Sequence, residues 1–194
     1  MKTSKEKVKI VSDGAKFLFC MAVLSGGLYY FNSDSNYLIA TFVFIVLSLV
    51  LALYPFLSEI KRFSRAQIES IDSMDGFEFE KYTKYLLEKN GYSNVKLTQK
   101  YGDQGIDVIA QKDNVKIGIQ CKRWKKNVGN KAVQEVHAGI GYYSLNKGIV
   151  LTNSFFTNSA KDLAKKLSVE IWDRSDLISL IENMKKSEKK EAKT

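Results

Sequence analysis

The stretch "GDQGIDVIAQKDNVKIGIQCKRWKK", residues 102–126, decides the fold because two alternating apolar runs flank a turn. In a strand, successive side chains point to opposite faces, so the second run has an apolar face and a polar or small one. The two faces are Val115, Ile117, Ile119 and Cys121, and Lys116, Gly118, Gln120 and Lys122. The turn residues "KDN" (112–114) then predict a β-hairpin.

This hairpin brings three polar groups together. Asp107 precedes Gln120 by 13 residues, which is the separation that a hairpin of this length needs to place them side by side. Lys122 projects on the same face as Gln120. The residues alone leave two interpretations open, namely a solvated sheet edge and a metal-dependent active site.

The chemistry of phosphodiester hydrolysis fits the second interpretation. Asp107 offers a carboxylate to a hard cation, with the side chain of Gln120 or the backbone carbonyl of Gln120 or Cys121 as further oxygen ligands. Lys122 would orient or deprotonate the attacking water and offset charge in the transition state.

The surrounding pattern predicts one α/β domain. Asp75 is predicted to cap the N-terminus of a helix, with Glu78 three residues on, and Gly91 is predicted to end that helix. Glu80 lies at the edge of the packed face of that helix and needs a partner. The order α-β-β-β-α-β-α-β-α along the domain predicts a mixed sheet flanked by helices.

Charge and residue usage exclude several classes of site. The formal charge of the 194-residue chain is +9, but residues 66–184 hold 17 basic and 15 acidic groups, so local clusters must provide any affinity for nucleic acid. Cys20 and Cys121 predict neither a disulfide nor a zinc site. The single histidine, His137, is a helix-face residue or, alternatively, a substrate contact.

Two N-terminal runs predict a transmembrane hairpin, with spans at about 17–31 and 37–57. The second run is 21 residues without a charge, which is enough to cross a hydrocarbon core about 30 Å thick. Basic residues flank both runs: lysines precede the first, and Lys61, Arg62 and Arg65 follow the second. This charge pattern predicts that the spans lie in the inner membrane with both termini in the cytoplasm. A buried soluble helix pair and a signal peptide followed by a stop-transfer segment are the alternatives.

Four motifs in order resemble one family. "GFEFEKYTKYLLEKNGY", "GDQGIDVIA", "IQCKRW" and "GIVLTNSFFTNSAKDLA" resemble the Mrr-like restriction endonuclease catalytic domain of the PD-(D/E)xK nuclease superfamily, over about Ser73 to Glu182. The resemblance implies a mixed four-stranded sheet with flanking helices. It also implies DNA cleavage with Mg²⁺, or alternatively Mn²⁺.

The resemblance assigns the site as well. Its catalytic set maps onto Glu80, Asp107, Gln120 and Lys122, of which Asp107, Gln120 and Glu80 would bind the metal. Gln120 stands where most of the wider superfamily has Asp or Glu, although Gln is usual in the Mrr-like branch. Sequence specificity and any preference for methylated DNA are not transferred by the resemblance.

Basic residues next to this site predict contacts with DNA. The predicted set surrounds Trp124 or follows it on the next helix and strand: Arg123, Lys125, Lys126, Lys131, Gln134 and Thr152. A solvated basic loop is the alternative for the cations. Gln134 and Thr152 are equally open to a structural role that orients the site.

The sequence therefore predicts a membrane-anchored, metal-dependent DNA endonuclease, acting in defence against incoming DNA. We divide the chain into a basic N-terminus (1–16), two spans (17–57), a linker (58–72), the nuclease domain (73–183) and a disordered basic tail (184–194). The alternatives are a catalytically silent DNA-binding or sensor module and a structural membrane protein. A double-strand cut would need a homodimer, for which the sequence shows no interface.

Overall fold

The structure, a computed structural model, describes residues 4–64, 66–99 and 104–191, with side chains described from residue 9 to residue 190. The chain divides into two compact units, Met1–Arg65 and Ala66–Thr194.

The first unit is a pair of long helices, α1 (Ser4–Asn32) and α2 (Ser35–Ser64). Stretches of both are long and apolar enough to cross a membrane: Lys9–Asn32 with mean hydropathy 1.3 and Ser35–Ser64 with 2.5. Small and hydroxyl residues join them, since Ser48 Oγ donates to the Ala15 carbonyl (3.0 Å) and the hydroxyls of Ser25 and Thr41 are 2.9 Å apart. The helices are longer than the predicted spans, and two residues separate them.

The second unit follows the predicted order of elements after a short helix α3 (Ile68–Ile71). The elements are α4 (Gly76–Lys89), β1 (Ser93–Leu97), β2 (Val108–Lys112), β3 (Val115–Lys122), α5 (Asn130–Tyr142), β4 (Lys147–Thr152), α6 (Asn158–Leu167), β5 (Glu170–Trp172) and α7 (Arg174–Glu191). Helices α4 and α7 contact each other, and α5 contacts α6. The mixed sheet flanked by helices is confirmed.

The sheet has the strand order β1-β2-β3-β4-β5 within the described residues. β1, β2 and β3 are antiparallel neighbours, whereas β3, β4 and β5 are parallel. The sheet therefore has five strands rather than the four implied by the resemblance. The additional strand is a three-residue edge strand, which pairs along its whole length with β4.

Local sequence explains the helix start and the hairpin. Asp75 caps α4 by accepting from the Glu78 backbone N–H (2.8 Å), and Gly91 follows the helix with a φ of 79°. Asp113 and Asn114 have φ values of 48° and 64°, which fits the two-residue turns that suit the twist of a hairpin. The pairs Val108↔Ile119 and Lys112↔Val115 define its register.

β3 is the central strand of the sheet, and this excludes the solvated-edge interpretation. Its residues 117–121 are all buried, with Gln120 2% exposed. Alternation along the strand still separates two faces, but helix α4 contacts β3 on one side and α5 contacts it on the other. The polar face predicted for Gln120 is therefore enclosed by protein rather than open to water.

Two segment predictions differ from the structure. The predicted linker (58–72) is largely helical, because α2 continues to Ser64 and α3 includes the fully buried Ile71. The predicted disordered tail is helical up to Glu191 because α7 continues through it. Met184 is fully buried, and Tyr85 Oη donates to Glu188 Oε1 (3.0 Å), so packing holds this part of α7.

Packing of α7 can be tested by truncating Met184. We expect Met184→Ala to lower the free energy of unfolding by about 2–5 kcal/mol, because it removes a fully buried side chain and leaves a cavity. Asn183→Ala, at an exposed neighbour, should change it by less than about 0.5 kcal/mol. The measurement is urea unfolding followed by tryptophan fluorescence, since both tryptophans lie in the second unit. Equal stability of the two variants would contradict a packed α7 terminus.

Candidate active site

Gln120 is the buried polar residue at the centre of the site. Its Nε2 donates to Oε2 of Glu135 on α5 (2.7 Å). Its Oε1 is buried and has no hydrogen-bond partner among the residues that the structure describes. An unpartnered buried acceptor costs about 1–3 kcal/mol, so the arrangement is unfavourable unless something else binds that oxygen.

Glu135 also contacts two lysines. Lys122 Nζ lies 3.2 Å from Oε2, and Lys131 Nζ lies 3.7 Å from Oε1. Burial acts to raise the pKa of Glu135, but the hydrogen bond from Gln120 and the charge of Lys122 outweigh it and lower the pKa below its usual range. Glu135 is therefore an ionised acceptor shared by a strand amide and two ammonium groups.

Asp107 lies one residue before β2, on the predicted hairpin. Its backbone N–H donates to the Ile119 carbonyl (2.9 Å), which continues the ladder by one residue. Its Oδ2 accepts the backbone N–H of Cys121 (2.6 Å), the residue between Gln120 and Lys122. The carboxylate is thereby held at the end of β3.

Glu80 lies on α4, next to the fully buried Phe79, and is half-buried. Burial raises the pKa of the Cys121 thiol well above its ordinary value, and the carboxylates of Asp107 and Glu80 raise it further. Both carboxylates therefore lie near the same thiol, which stays protonated and is a poor metal ligand.

The donor set fits a hard divalent cation better than a soft one. Among residues 4–64, 66–99 and 104–191, the structure contains no group of three or more His, Cys, Asp or Glu side chains that could hold a metal ion. Oxygen donors are nevertheless present in the Asp107 carboxylate and the orphaned amide oxygen of Gln120, and oxygen is the ligand that Mg²⁺ prefers. Glu80 is a further carboxylate near this end of β3.

The predicted DNA-contacting residues fall into two groups. Lys125, Lys126, Lys131 and Gln134 are exposed, and Trp124 beside them is 52% exposed. Arg123 is half-buried, and its Nε has no hydrogen-bond partner within the described part of the chain.

Thr152 differs from the predicted DNA contact. It is fully buried, and its hydroxyl donates to the Lys122 carbonyl (2.6 Å). Its burial leaves no surface for a phosphate, so the geometry fits the alternative role of orienting the end of β3.

A small cavity opens beside Lys122 and has a volume of about 140 Å³. Charged, aromatic and apolar residues line it: Lys122, Trp124, Val128, Gly129, Lys131, Ala132 and Glu135. It lies at the start of α5 and adjoins the shared carboxylate.

A second polar network supports the segment after β3. Asn153 Oδ1 accepts the Trp124 backbone N–H (2.8 Å), and Asn153 Nδ2 donates to Asp72 Oδ1 (2.7 Å). Arg174 binds both oxygens of Asp72 (2.9 and 2.8 Å). The hydrogen bonds from Arg174 lower the pKa of Asp72, which keeps this carboxyl ionised. The network ties "KRW" to β4 and to the start of α7.

Glu135 is the site residue that sequence reasoning missed. The signal was present, because Lys131 and Glu135 are an i, i+4 pair on α5, the helix that follows β3. Such pairs are common on solvated helix faces, and the partner that distinguishes this one, Gln120, is distant in sequence.

Comparison with known families agrees with the motifs. The Mrr_cat family model, described as restriction endonuclease, matches residues 71–181, which is more than half of the chain. The type IV methyl-directed restriction enzyme EcoKMrr of Escherichia coli (strain K12) is 32% identical over 87 residues. That alignment covers 42% of this chain and 29% of that enzyme.

Two solved structures are also similar. A protein of unknown function, AF1548, is 24% identical, with a TM-score of 0.43 over 51% of this chain and 58% of that one. The DNA modification-dependent restriction endonuclease AspBHI is 19% identical, with a TM-score of 0.47 over 64% of this chain and 35% of that one. On the family match, this chain belongs to the Mrr_cat family of restriction endonuclease domains.

Proposed function

We propose that this chain is a membrane-anchored, divalent-metal-dependent endonuclease that hydrolyses phosphodiester bonds in DNA. The observation that carries the proposal is the buried amide oxygen of Gln120, which has no hydrogen-bond partner among the described residues. It lies two residues from Lys122 on β3, and the end of this strand is hydrogen-bonded to Asp107. A cation at this oxygen would offset its desolvation. Membership of the restriction endonuclease family supports DNA as the substrate.

Asp107, Gln120 and Glu80 would hold the metal, which we infer to be Mg²⁺ or Mn²⁺. When bound, such an ion polarises the phosphoryl group and lowers the pKa of water near it. The protein's contribution is to fix the oxygen donors before the ion arrives. The hydrogen bond from the Cys121 N–H to Asp107 and the one from Gln120 to Glu135 fix two of the three.

Lys122 would orient the attacking water and neutralise charge as the phosphoryl group reacts. Its side chain is one-quarter exposed, and its ammonium group lies 3.2 Å from Oε2 of Glu135. This contact limits where the ammonium can lie, and the remaining exposure leaves it accessible to a phosphate at the cavity beside it.

DNA would be held by the exposed cations after β3 rather than by a general positive field. Lys125, Lys126 and Lys131 are solvent-facing, and Arg123 precedes them. They would contact phosphates and position the backbone without reading bases. Gln134, also exposed, is a further contact on α5.

The two apolar helices would anchor the nuclease in the inner membrane, with both termini and the nuclease domain in the cytoplasm. The basic residues around both helices support this orientation. An anchored nuclease meets DNA that arrives at the membrane, so we propose incoming DNA as its target. EcoKMrr, a methyl-directed restriction enzyme by name, is consistent with a defence role, but we infer no methylation preference from it.

Cleavage can be tested with the full chain in detergent micelles and supercoiled plasmid. We expect nicking that requires Mg²⁺ or Mn²⁺ and a loss of about 10²- to 10⁴-fold in rate for Lys122→Ala, because the group acting on the water is removed. Lys116→Ala is the matched control, since it removes a lysine from the same face of β3 at its exposed end. Metal-independent cleavage, or equal loss in both variants, would contradict the proposal. DNA retention without cleavage would favour a silent binding module.

Two substitutions at Asp107 separate its chemical role from its structural one. Asparagine keeps an oxygen that can accept the Cys121 N–H, whereas alanine orphans that amide. We therefore expect Asp107→Asn to leave the free energy of unfolding unchanged and Asp107→Ala to lower it by about 1–3 kcal/mol. Both should lose more activity than the roughly 10- to 100-fold typical of a residue that only supports a metal ligand. Retained cleavage in Asp107→Asn would contradict a metal-binding role.

Orientation in the membrane can be tested by labelling single introduced cysteines in a Cys20→Ser, Cys121→Ser background. In intact bacterial cells, a membrane-impermeant maleimide should label Ser33→Cys, between the two helices, because it would face the exterior. Ser187→Cys, on α7, should be labelled only after the cells are permeabilised. Labelling of both positions in intact cells, or recovery of the chain in the soluble fraction, would overturn the proposed anchoring.

A further inference from the structure

Glu135 contacts Gln120 and Lys122 of the proposed site. Its carboxylate accepts from Gln120 Nε2 (2.7 Å) and lies 3.2 Å from Lys122 Nζ. The backbone leading to Asp107 also lies against it, because a Cβ added at Gly105 would come within 2.7 Å of Glu135 Cβ and 2.8 Å of its carbonyl. One residue of α5 thus contacts two of the three segments that carry the proposed ligands, namely β3 and the segment that leads to Asp107.

The chemistry of the two side chains fixes the orientation of the Gln120 amide. A primary amide has a donor end and an acceptor end, whereas an ionised carboxylate only accepts. Glu135 therefore selects the orientation in which the NH₂ group faces α5. The carbonyl oxygen is then directed away from Glu135, into a buried position where it has no partner among the described residues.

We propose that Glu135 is a positioning residue that turns the Gln120 carbonyl oxygen toward the metal and holds the Lys122 ammonium beside it. This inference rests on the proposed metal-dependent function. It also gives Gln120 a specific role, since a glutamine in this pairing presents one oxygen to a cation as a strand carboxylate would. Gln120 on β3 carries no charge, and the negative charge lies instead on Glu135 of α5.

The pairing makes a reciprocal prediction. If the acid moves from helix to strand, as in Gln120→Glu with Glu135→Gln, the same hydrogen bond can form in the opposite sense. The glutamine on α5 would then donate to one oxygen of the strand carboxylate and leave the other for the metal. Gln120→Glu alone would instead place two carboxylates at hydrogen-bond distance, where they repel each other.

The experiment is calorimetric titration of Mn²⁺ into the full chain in detergent micelles, which reports metal binding separately from cleavage. We expect Glu135→Gln to weaken Mn²⁺ binding by about 10- to 100-fold, because the amide loses its fixed orientation. The double variant should bind Mn²⁺ more tightly than either single variant and recover wild-type affinity. Glu88→Gln is the matched control, since Glu88 also pairs with a lysine on a helix surface and should leave affinity unchanged.

The outcomes separate this inference from the proposed function. Wild-type protein that binds Mn²⁺ and cleaves DNA, while Glu135→Gln binds as well as wild type, would overturn the positioning role alone. A double variant that binds Mn²⁺ no more tightly than the single variants would also overturn the positioning role. Recovery of affinity in the double variant requires a specific pairing, because a second change does not repair a general loss of structure. Wild-type protein that neither binds Mn²⁺ nor cleaves DNA would overturn both proposals.

Discussion

The hydrogen bond between Gln120 and Glu135 provides a partner for a polar side chain that the fold of the second unit buries. β3 is the central strand, with a helix layer on each side, so every polar group on it must find a partner inside the protein. The strand nevertheless ends in glutamine, cysteine and lysine. Glu135 contacts two of these three side chains from α5, and Oε1 of Gln120 is left without a hydrogen-bond partner among the described residues.

Around this point the sheet is braced by groups that have no chemical role in our proposal. Thr152 holds the Lys122 carbonyl, and Asn153 holds the Trp124 N–H while the ion pair of Asp72 and Arg174 fixes Asn153. These contacts join β3 to β4, to α7 and to the chain before α4. A site that must hold an ion in fixed geometry needs such support, since small displacements of the ligands weaken it.

Much of this could be read from the sequence, for identifiable physical reasons. Strand alternation, the "KDN" turn and the Asp75 cap are local signals, and each predicted its element correctly. Burial of Gln120 was not predictable in this way, because periodicity separates two faces of a strand without saying what covers them. Glu135 was missed for the same reason: its partner is set by the packing of α5 on β3. The α7 terminus was mistaken for disorder because its charge outweighed the one buried methionine that anchors it.

The Gln–Glu pair also bears on how such a site tolerates an uncharged ligand. A strand carboxylate here would place its charge directly on the cation, but it would also be a buried charge whenever the ion is absent. A buried ion without a partner is more costly than a buried amide, by several kcal/mol or more. With glutamine on the strand and glutamate on the helix, the charge lies where Lys122 and Lys131 already balance it. Under the proposed function, the site would give up direct attraction for the metal and gain an apo state in which Glu135, the acidic member of these four residues, has Lys122 and Lys131 as counter-charges.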